Sequence, residues 1–443
     1  MIFKQLRWRL VALITASFSL GSNTFAQVPG TELWHFDAQS PVSSPAIGSD
    51  GTIYFTARGN LWAIDPSGSN RWSRFDNFVG TPALDPNGII YIGLASAGFR
   101  AISDLGVPVW VVDRHGYDAS SAFAVATGII YFSDGRELLA VNRHGIEQWT
   151  HIDTVSGSTI GQNGMTYYLA ARSIWAVRPN GKALSKYFYL GNEAITPMAI
   201  GEDGTIYCGW EGGRLCAVNP DLSRKWLYDL DERPEGGYLI REPAIGPDGT
   251  IYFPTLRYGL CAMSPCGTNL WKFKAEMEAP FTDINAPAVA DDGTIYMAFG
   301  TNFFAINPDG TERWRFSARY EFHSSAAIGG DGTVYVGCDD GRLYALKGTA
   351  RLARSAWPME GHDLRRSRKG SYCRGEPCFE TPFRSETNEI ETLLIGEEGR
   401  EYSVWKSTDL VNWNFHTNLA SANGACRIVD GITERQGFYK AAR

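Results

Sequence analysis

Residues 243–253 read PAIGPDGTIYF, and the same phrase returns as PAIGSDGTIYF at 45–55, PAVADDGTIYM at 287–297 and AAIGGDGTVYV at 326–336. Weaker copies stand at 82–92 (PALDPNGIIYI), 124–132 (AVATGIIYF), 159–169 (TIGQNGMTYYL) and 198–208 (MAIGEDGTIYC). Their turn glycines are Gly51, Gly88, Gly128, Gly164, Gly204, Gly249, Gly293 and Gly332. The mean spacing is about 40 residues, the period of a unit of four short strands.

Within the first full unit, Ser44–Gly48 reads as strand A and Thr52–Thr56 as strand B, joined by an Asp-Gly turn. Asp-Gly suits a tight hairpin because both central residues must accept positive φ. Asn60–Ile64 then reads as strand C and Arg71–Phe75 as strand D, across the Asp65-Pro66-Ser67-Gly68 turn. Apolar residues alternate at period two and β-branched and aromatic types dominate, so helix is not expected.

A tryptophan follows the C–D turn glycine by four residues: Gly68 and Trp72, Gly106 and Trp110, Gly145 and Trp149, Gly267 and Trp271, Gly310 and Trp314. Trp226 holds the same place after Leu222, while the fourth repeat carries Ser185 there. Gly30 and Trp34 near the N-terminus make a D strand with no A, B or C before it. The last unit, 326–346, has A, B and C but reaches Leu352 where its tryptophan should stand. The two ends therefore complete one blade, and a ring closed in this way leaves no open sheet edge between its ends. The expected fold is all-β: an eight-bladed β-propeller over 27–364, closed by the N-terminal strand. Half of the fourteen tryptophans, Trp34, Trp72, Trp110, Trp149, Trp226, Trp271 and Trp314, occupy one repeat position, which assigns them to packing between blades.

GTIYF, a C strand such as Leu61-Trp62-Ala63-Ile64-Asp65, and then Gly68 and Trp72 resemble the pyrroloquinoline-quinone-like (PQQ-like) propeller repeat. The resemblance covers about 30–370 and includes Ala356-Trp357-Pro358-Met359 with His362-Asp363, similar to the tail that ends many exported propellers of this type. It implies tryptophans that dock one blade on the next. It also implies one of two functions, because the family contains quinone-dependent dehydrogenases and non-enzymatic relatives, including a periplasmic scaffold for β-barrel assembly. The dehydrogenases commonly place two adjacent cysteines against the quinone, and this sequence has no such pair. Nor do an Asn, Glu and Asp calcium set and a catalytic Asp match residue by residue. The expectation is a non-catalytic protein with no cofactor; the alternative is a quinoprotein oxidoreductase using pyrroloquinoline quinone with calcium.

The flanks differ from the repeat. Residues 1–26 carry Lys4, Arg7 and Arg9, an apolar run from Leu10 to Leu20, and Asn23-Thr24-Phe25-Ala26, which reads as a cleaved secretory signal. Eleven such residues fall short of the ~20 that span a bilayer, so no transmembrane segment is expected. The expected address is periplasmic, cell-surface or extracellular. Arg365, Arg366, Arg368, Lys369 and Arg374 mark 365–378 as a basic, solvated linker. Beyond it, TLLI (392–395), YSVWKS (402–407), NWNF (412–415), CRIVD (426–430) and GFYKA (437–441) read as five strands of a small β-sandwich-like domain over 379–443. Ser407-Thr408-Asp409-Leu410-Val411-Asn412-Trp413 with Phe438-Tyr439-Lys440-Ala441 resembles a short C-terminal β-domain of exported bacterial proteins.

Composition bounds the partners. A formal charge of -7 gives no global basic field for a phosphate backbone, so nucleic acid is not an expected partner. The seven His form no HExxH, and GxSxG and a P-loop are absent. His115 and His144 lie in repeated Arg-His-Gly turns. The recurrent Asp50, Asp203, Asp248, Asp292 and Asp331 read as turn residues, because their loops lack alternating acidic ligands. All eight Cys follow position 200, and export permits disulfides without specifying pairs. Cys208 and Cys216 could face each other across one hairpin, and Cys373 and Cys378 could close a small loop. Cys216 and Cys261 sit on neighbouring sheets ~10 Å apart, beyond disulfide reach.

One face of the ring carries the uniform A–B and C–D turns, and the other carries B–C and D–A loops that vary in length and chemistry, where binding residues concentrate. Its longest loops are 229–241 and 275–286, followed by 319–323. Candidate contact residues are Asp231, Glu232, Glu235, Tyr238, Arg241, Glu276, Glu278, Phe281, Asp283, Tyr320, Phe322 and His323. Aromatic anchors inside an acidic rim suit a protein or polysaccharide partner of a monomeric binding or scaffold protein.

Overall fold

A computed structural model describes residues 28–95, 98–113, 123–126, 128–133, 137–152, 155–161, 164–170, 173–184, 188–189, 197–210, 214–229, 241–255, 259–275, 285–363 and 366, together with the strands of 378–442. Its described elements are strands, and among the described residues no helix is long and apolar enough to cross a membrane. The repeat region forms six four-stranded antiparallel sheets and one of seven strands. In the seven-stranded sheet and in five of the six others, sequence neighbours pair in order, A to B to C to D.

Burial orients every sheet. The A strands Ala46–Ile47, Ala244–Ile245, Ala288–Val289 and Ala327–Ile328 are wholly buried, whereas D strands such as Glu312–Ser317 alternate between exposed and half-buried residues. A strands therefore lie innermost and D strands at the rim, as in a propeller. The seven-stranded sheet arises because Asn70–Leu84 runs without a break from one rim strand into the next inner strand. Phe78 in that passage pairs with both Gly59 and Leu94. Two separate strands were expected from the repeat; the connection is short enough to stay extended and hydrogen-bonded on both sides.

The N-terminal strand Glu32–Asp37 pairs antiparallel with Arg342–Lys347, the C strand of the last unit, placing Trp34 opposite Ala345. The same sheet thus joins residues from both ends of the repeat, as the orphan D strand predicted.

Tryptophans link consecutive repeat units. The Trp34 ring lies against Gly68, Trp72 against Gly106, Trp110 against Gly145, Trp149 against Gly181, Trp226 against Gly267, Trp271 against Gly310, and Trp314 against Gly30. At Gly68 (φ +90°) a Cβ would sit 2.8 Å from Trp34 Cδ2, so the position needs glycine both for its backbone and for the flat ring above it. Six of the seven indole N–H groups donate to a carbonyl in the same turn, for example Trp34 Nε1 to Pro66 O at 3.0 Å and Trp110 Nε1 to Arg143 O at 2.7 Å. Trp314 Nε1 has no acceptor among the described residues.

The unit that carries Ser185 in place of tryptophan is followed by the turn in which Leu222 replaces glycine. Leu222 is buried in the core at φ 63°. With no indole to admit, the turn can accept a side chain, and the leucine supplies apolar volume instead.

In the C-terminal region, Glu389–Ile395 pairs with Ala425–Gly431, Cys378–Phe379 and Phe383–Arg384, while Glu401–Ser407 pairs with Asn414–Ala420 and Phe438–Ala442.

Candidate functional site

After the last C strand the chain turns inward and binds one inner strand after another. Asp291 N–H donates to Arg351 O at 2.8 Å and Ala353 N–H to Val289 O at 2.9 Å. Ser355 Oγ donates to Ile245 O, whose own N–H donates to Trp357 O at 2.6 Å, and Val289 N–H donates to Pro358 O at 2.8 Å. Asp291 lies beyond the end of its A strand, on the turn face, whereas Pro45 and Ser325 precede theirs, on the variable-loop face. Arg366 reaches both of these last residues, donating to Pro45 O at 2.7 Å and to Ser325 O at 3.1 Å. The described residues of this segment, 351–363 and 366, therefore lead along the inner strands from one face to the other.

Trp357 is the largest fully buried side chain in the described structure. Its indole N–H donates to Glu242 Oε1 at 2.8 Å, and Gly361 N–H donates to the same oxygen at 2.8 Å. Glu242 is buried too, so these two donors satisfy one oxygen of a carboxylate that water does not reach. Arg366 corrects the reading of 365–378 as wholly solvated. It is buried, and its guanidinium meets Glu360 Oε2 at 2.9 Å as well as the two backbone carbonyls. Neither Glu242 nor Arg366 carries a periodic or motif signal; both are explained only by the path of the segment they hold.

The variable-loop face is described in part. Asp231, Glu232, Glu235, Tyr238, Glu276, Glu278, Phe281 and Asp283 lie outside the described residues. Arg241 is exposed, and Tyr320 is 49% exposed with the Arg319 guanidinium 5.6 Å from its ring centre. His323 stands between two carboxylates, with Nδ1 2.6 Å from Asp339 and Nε2 3.5 Å from Glu321. Phe322 corrects the sequence reading, because it is core and not surface. Its N–H donates to Gly300 O at 2.9 Å and its carbonyl accepts from the Asn285 side chain, which turns the ring toward Phe303 and Tyr344.

An apolar rim strand went unnoticed in the sequence. Along Pro108–Asp113 and its turn, Leu105 is 77% exposed, Val107 58%, Val109 51% and Val111 43%. Sister strands carry Arg71 and Ser73, or Arg313 and Arg315, at the places of Val109 and Val111. The comparison between units would have revealed it, since an edge strand ordinarily carries charge.

The uniform face uses its carboxylates on its own turns. Asp50 accepts from Thr52 N–H at 3.1 Å and Thr52 Oγ1 at 2.8 Å, and pairs with Arg71; Asp203 and Asp292 repeat this with Thr205 and Lys225, and Thr294 and Arg313. Burial would raise these carboxyls, but the threonine and cation partners outweigh it and hold all three below the usual value. Groups depressed on folding contribute stability above their unfolded pKa, about 4, and lose it as pH falls through the folded value. Asp85 has the opposite sign, because burial raises it despite bonds from Asn87, Ile89 and Tyr91. The melting midpoint should fall between about pH 5 and pH 3, and less steeply in Asp50→Asn. Equal slopes for the two proteins would remove Asp50 from this account.

The closed sheets, rim tryptophans and buried inner strands define a PQQ-like β-propeller repeat protein. The model of the family described as outer membrane protein assembly factor BamB matches residues 24–185 and 259–365, more than half of the chain, which therefore belongs to that family. Among solved structures, BamB from Moraxella catarrhalis superposes with a TM-score of 0.58 at 13% identity, covering 72% of this chain and 99% of that one. The computationally designed Ika8 protein gives 0.60 at 14% identity, covering 72% and 100%. A search of curated proteins finds no match.

Proposed function

We propose that the protein is an exported, non-catalytic scaffold whose variable-loop face contacts another protein. In this reading the seven-stranded sheet counts as two blades, giving an eight-bladed ring. The strands after the 365–378 linker form a small sandwich-like domain, and the chain works as a monomer in the periplasm or at the cell surface. The family's description, an assembly factor, names a task done by contact, and its outer-membrane setting supports export.

The observation that carries the proposal is the filled axis. A flat quinone with calcium needs an opening along the inner strands, and there this chain places its own residues 351–363 and 366, with Trp357 fully buried. An axis occupied in this way supports a reading without that cofactor. The reading gives a partner the outer surface, where Tyr320 and Arg241 are exposed.

Affinity capture from the exported fraction, using the chain from residue 27 and a variant with the 229–241 loop shortened, tests the assignment. A defined set of proteins retained by the first and lost by the second is the expected result. Saturable polysaccharide binding that weakens in Tyr238→Ala and Phe281→Ala would change the partner class to glycan. Quinone-dependent dye reduction by the purified protein would overturn the non-catalytic reading.

A further inference from the structure

We propose that Cys208 and Cys216 are joined by an intrachain disulfide that staples the B and C strands of one blade. The two residues are register partners in adjacent antiparallel strands, Ile206–Trp210 and Arg214–Val218. Residues directly opposed in such a pair have Cα atoms about 4.5–5.5 Å apart, inside the 4.4–6.8 Å range that a disulfide spans. Their side chains point at each other, with the sulfur atoms 2.9 Å apart and both residues fully buried.

Comparison around the ring shows what is unusual. The same register position holds Phe55 and Trp62, Phe132 and Leu139, Tyr168 and Trp175, Met297 and Phe304, and Val336 and Tyr344 in other units. Ile92 faces Arg100, and Phe253 faces Cys261. Every other pair has at least one bulky member. Two small residues at this layer of a close-packed sheet would under-fill it, and a covalent bridge between them restores a single compact group.

The bond forms by thiol–disulfide exchange with a disulfide oxidant, either a small disulfide or a protein dithiol oxidase of the exported compartment. One cysteine thiolate attacks a sulfur of the oxidant, breaking its S–S bond and releasing one of its halves as a thiolate. The second cysteine thiolate then attacks the mixed disulfide and releases the other half. The protein loses two protons and two electrons, and the oxidant gains both. Burial pushes the Cys216 thiol well up, as does its neighbour Cys208, so the Cys216 thiolate is disfavoured once the sheet is covered. Bridge formation therefore belongs to the stage before the neighbouring blades close over the hairpin.

The bridge rests on the export reading only for its oxidant in the cell, and the test separates the two. Trypsin cuts at Arg214, between the two cysteines, so the disulfide would appear as peptide 187–214 linked to peptide 215–224. The full chain is unfolded in iodoacetamide, digested and weighed without reductant, after secretion in one arm and after refolding with oxidised glutathione in the other. The linked pair in the glutathione arm, abolished by Cys216→Ser and by reduction, supports the bridge; its presence there and absence after secretion would contradict only the export reading. Dithiothreitol should also lower the melting midpoint by roughly 5 °C in the wild type and leave Cys208→Ala/Cys216→Ala unmoved. Alkylation of both cysteines in both arms, or linkage of either to another cysteine, overturns the proposal.

Discussion

Trp357→Ala should destabilise the protein by about 4 kcal/mol, as for other large aromatic-to-alanine changes in a packed core. The indole is fully buried on the axis, where its neighbours come from several blades and cannot all move inward together. Its loss also takes the indole N–H from Glu242 Oε1, leaving Gly361 N–H at 2.8 Å. A buried carboxylate deprived of a donor adds to the cost of the cavity. Trp357→Phe would return much of the volume but not the N–H, so it should recover part of the loss. Equilibrium denaturation of the three proteins measures both effects. A Trp357→Ala loss below about 1 kcal/mol would mean that the axial segment is an appendage and not core.

Deleting residues 28–37 should have a still larger effect, leaving no cooperative folded state at 25 °C. The deletion removes the whole rim strand of one sheet and uncovers the edge of Arg342–Lys347. It also takes away the Trp34 ring from Gly68, and Gly30 from beneath Trp314, so contacts are lost on both sides of the joint. Exposed strand edges template pairing with other chains, and aggregation is the expected fate. Trp34→Ala keeps the strand and loses only one indole, so it should fold at a cost of about 3 to 5 kcal/mol. Circular dichroism melts and light scattering distinguish these outcomes. A truncated chain with a sharp, reversible melt would show that the ends do not hold the ring.

Much of this architecture is legible because each unit repeats the same local chemistry. Asp50-Gly51 and its sisters announce hairpins, and the spacing from Gly68 to Trp72 locates the rim. Trp34 without preceding strands foretells where the two ends of the repeat region meet. The misread features depend on contacts between units, which a single period does not encode. Leu222 stands where other units have glycine, and it answers the missing tryptophan of the unit before it. Phe322 looked like a surface anchor because it sits in a variable loop, and the bonds to Gly300 and Asn285 that turn it inward are distant in sequence. Arg366 looked solvated among other basic residues, whereas its partners Pro45 and Ser325 lie at the other end of the repeat and one blade earlier. For the candidate surface, loop length and charge could be read directly. Which of the residues on it are anchors could not, since that depends on tertiary packing.

The central claim is that the two ends of the repeat region are sewn into one sheet, and hydrogen exchange on the intact protein probes it directly. Amides of Trp34, Phe36 and their partners in Arg342–Lys347 should exchange as slowly as those of Ile295–Phe299, in the middle of a sheet. Rapid exchange across 32–37, with the rest of the ring protected, would contradict the account.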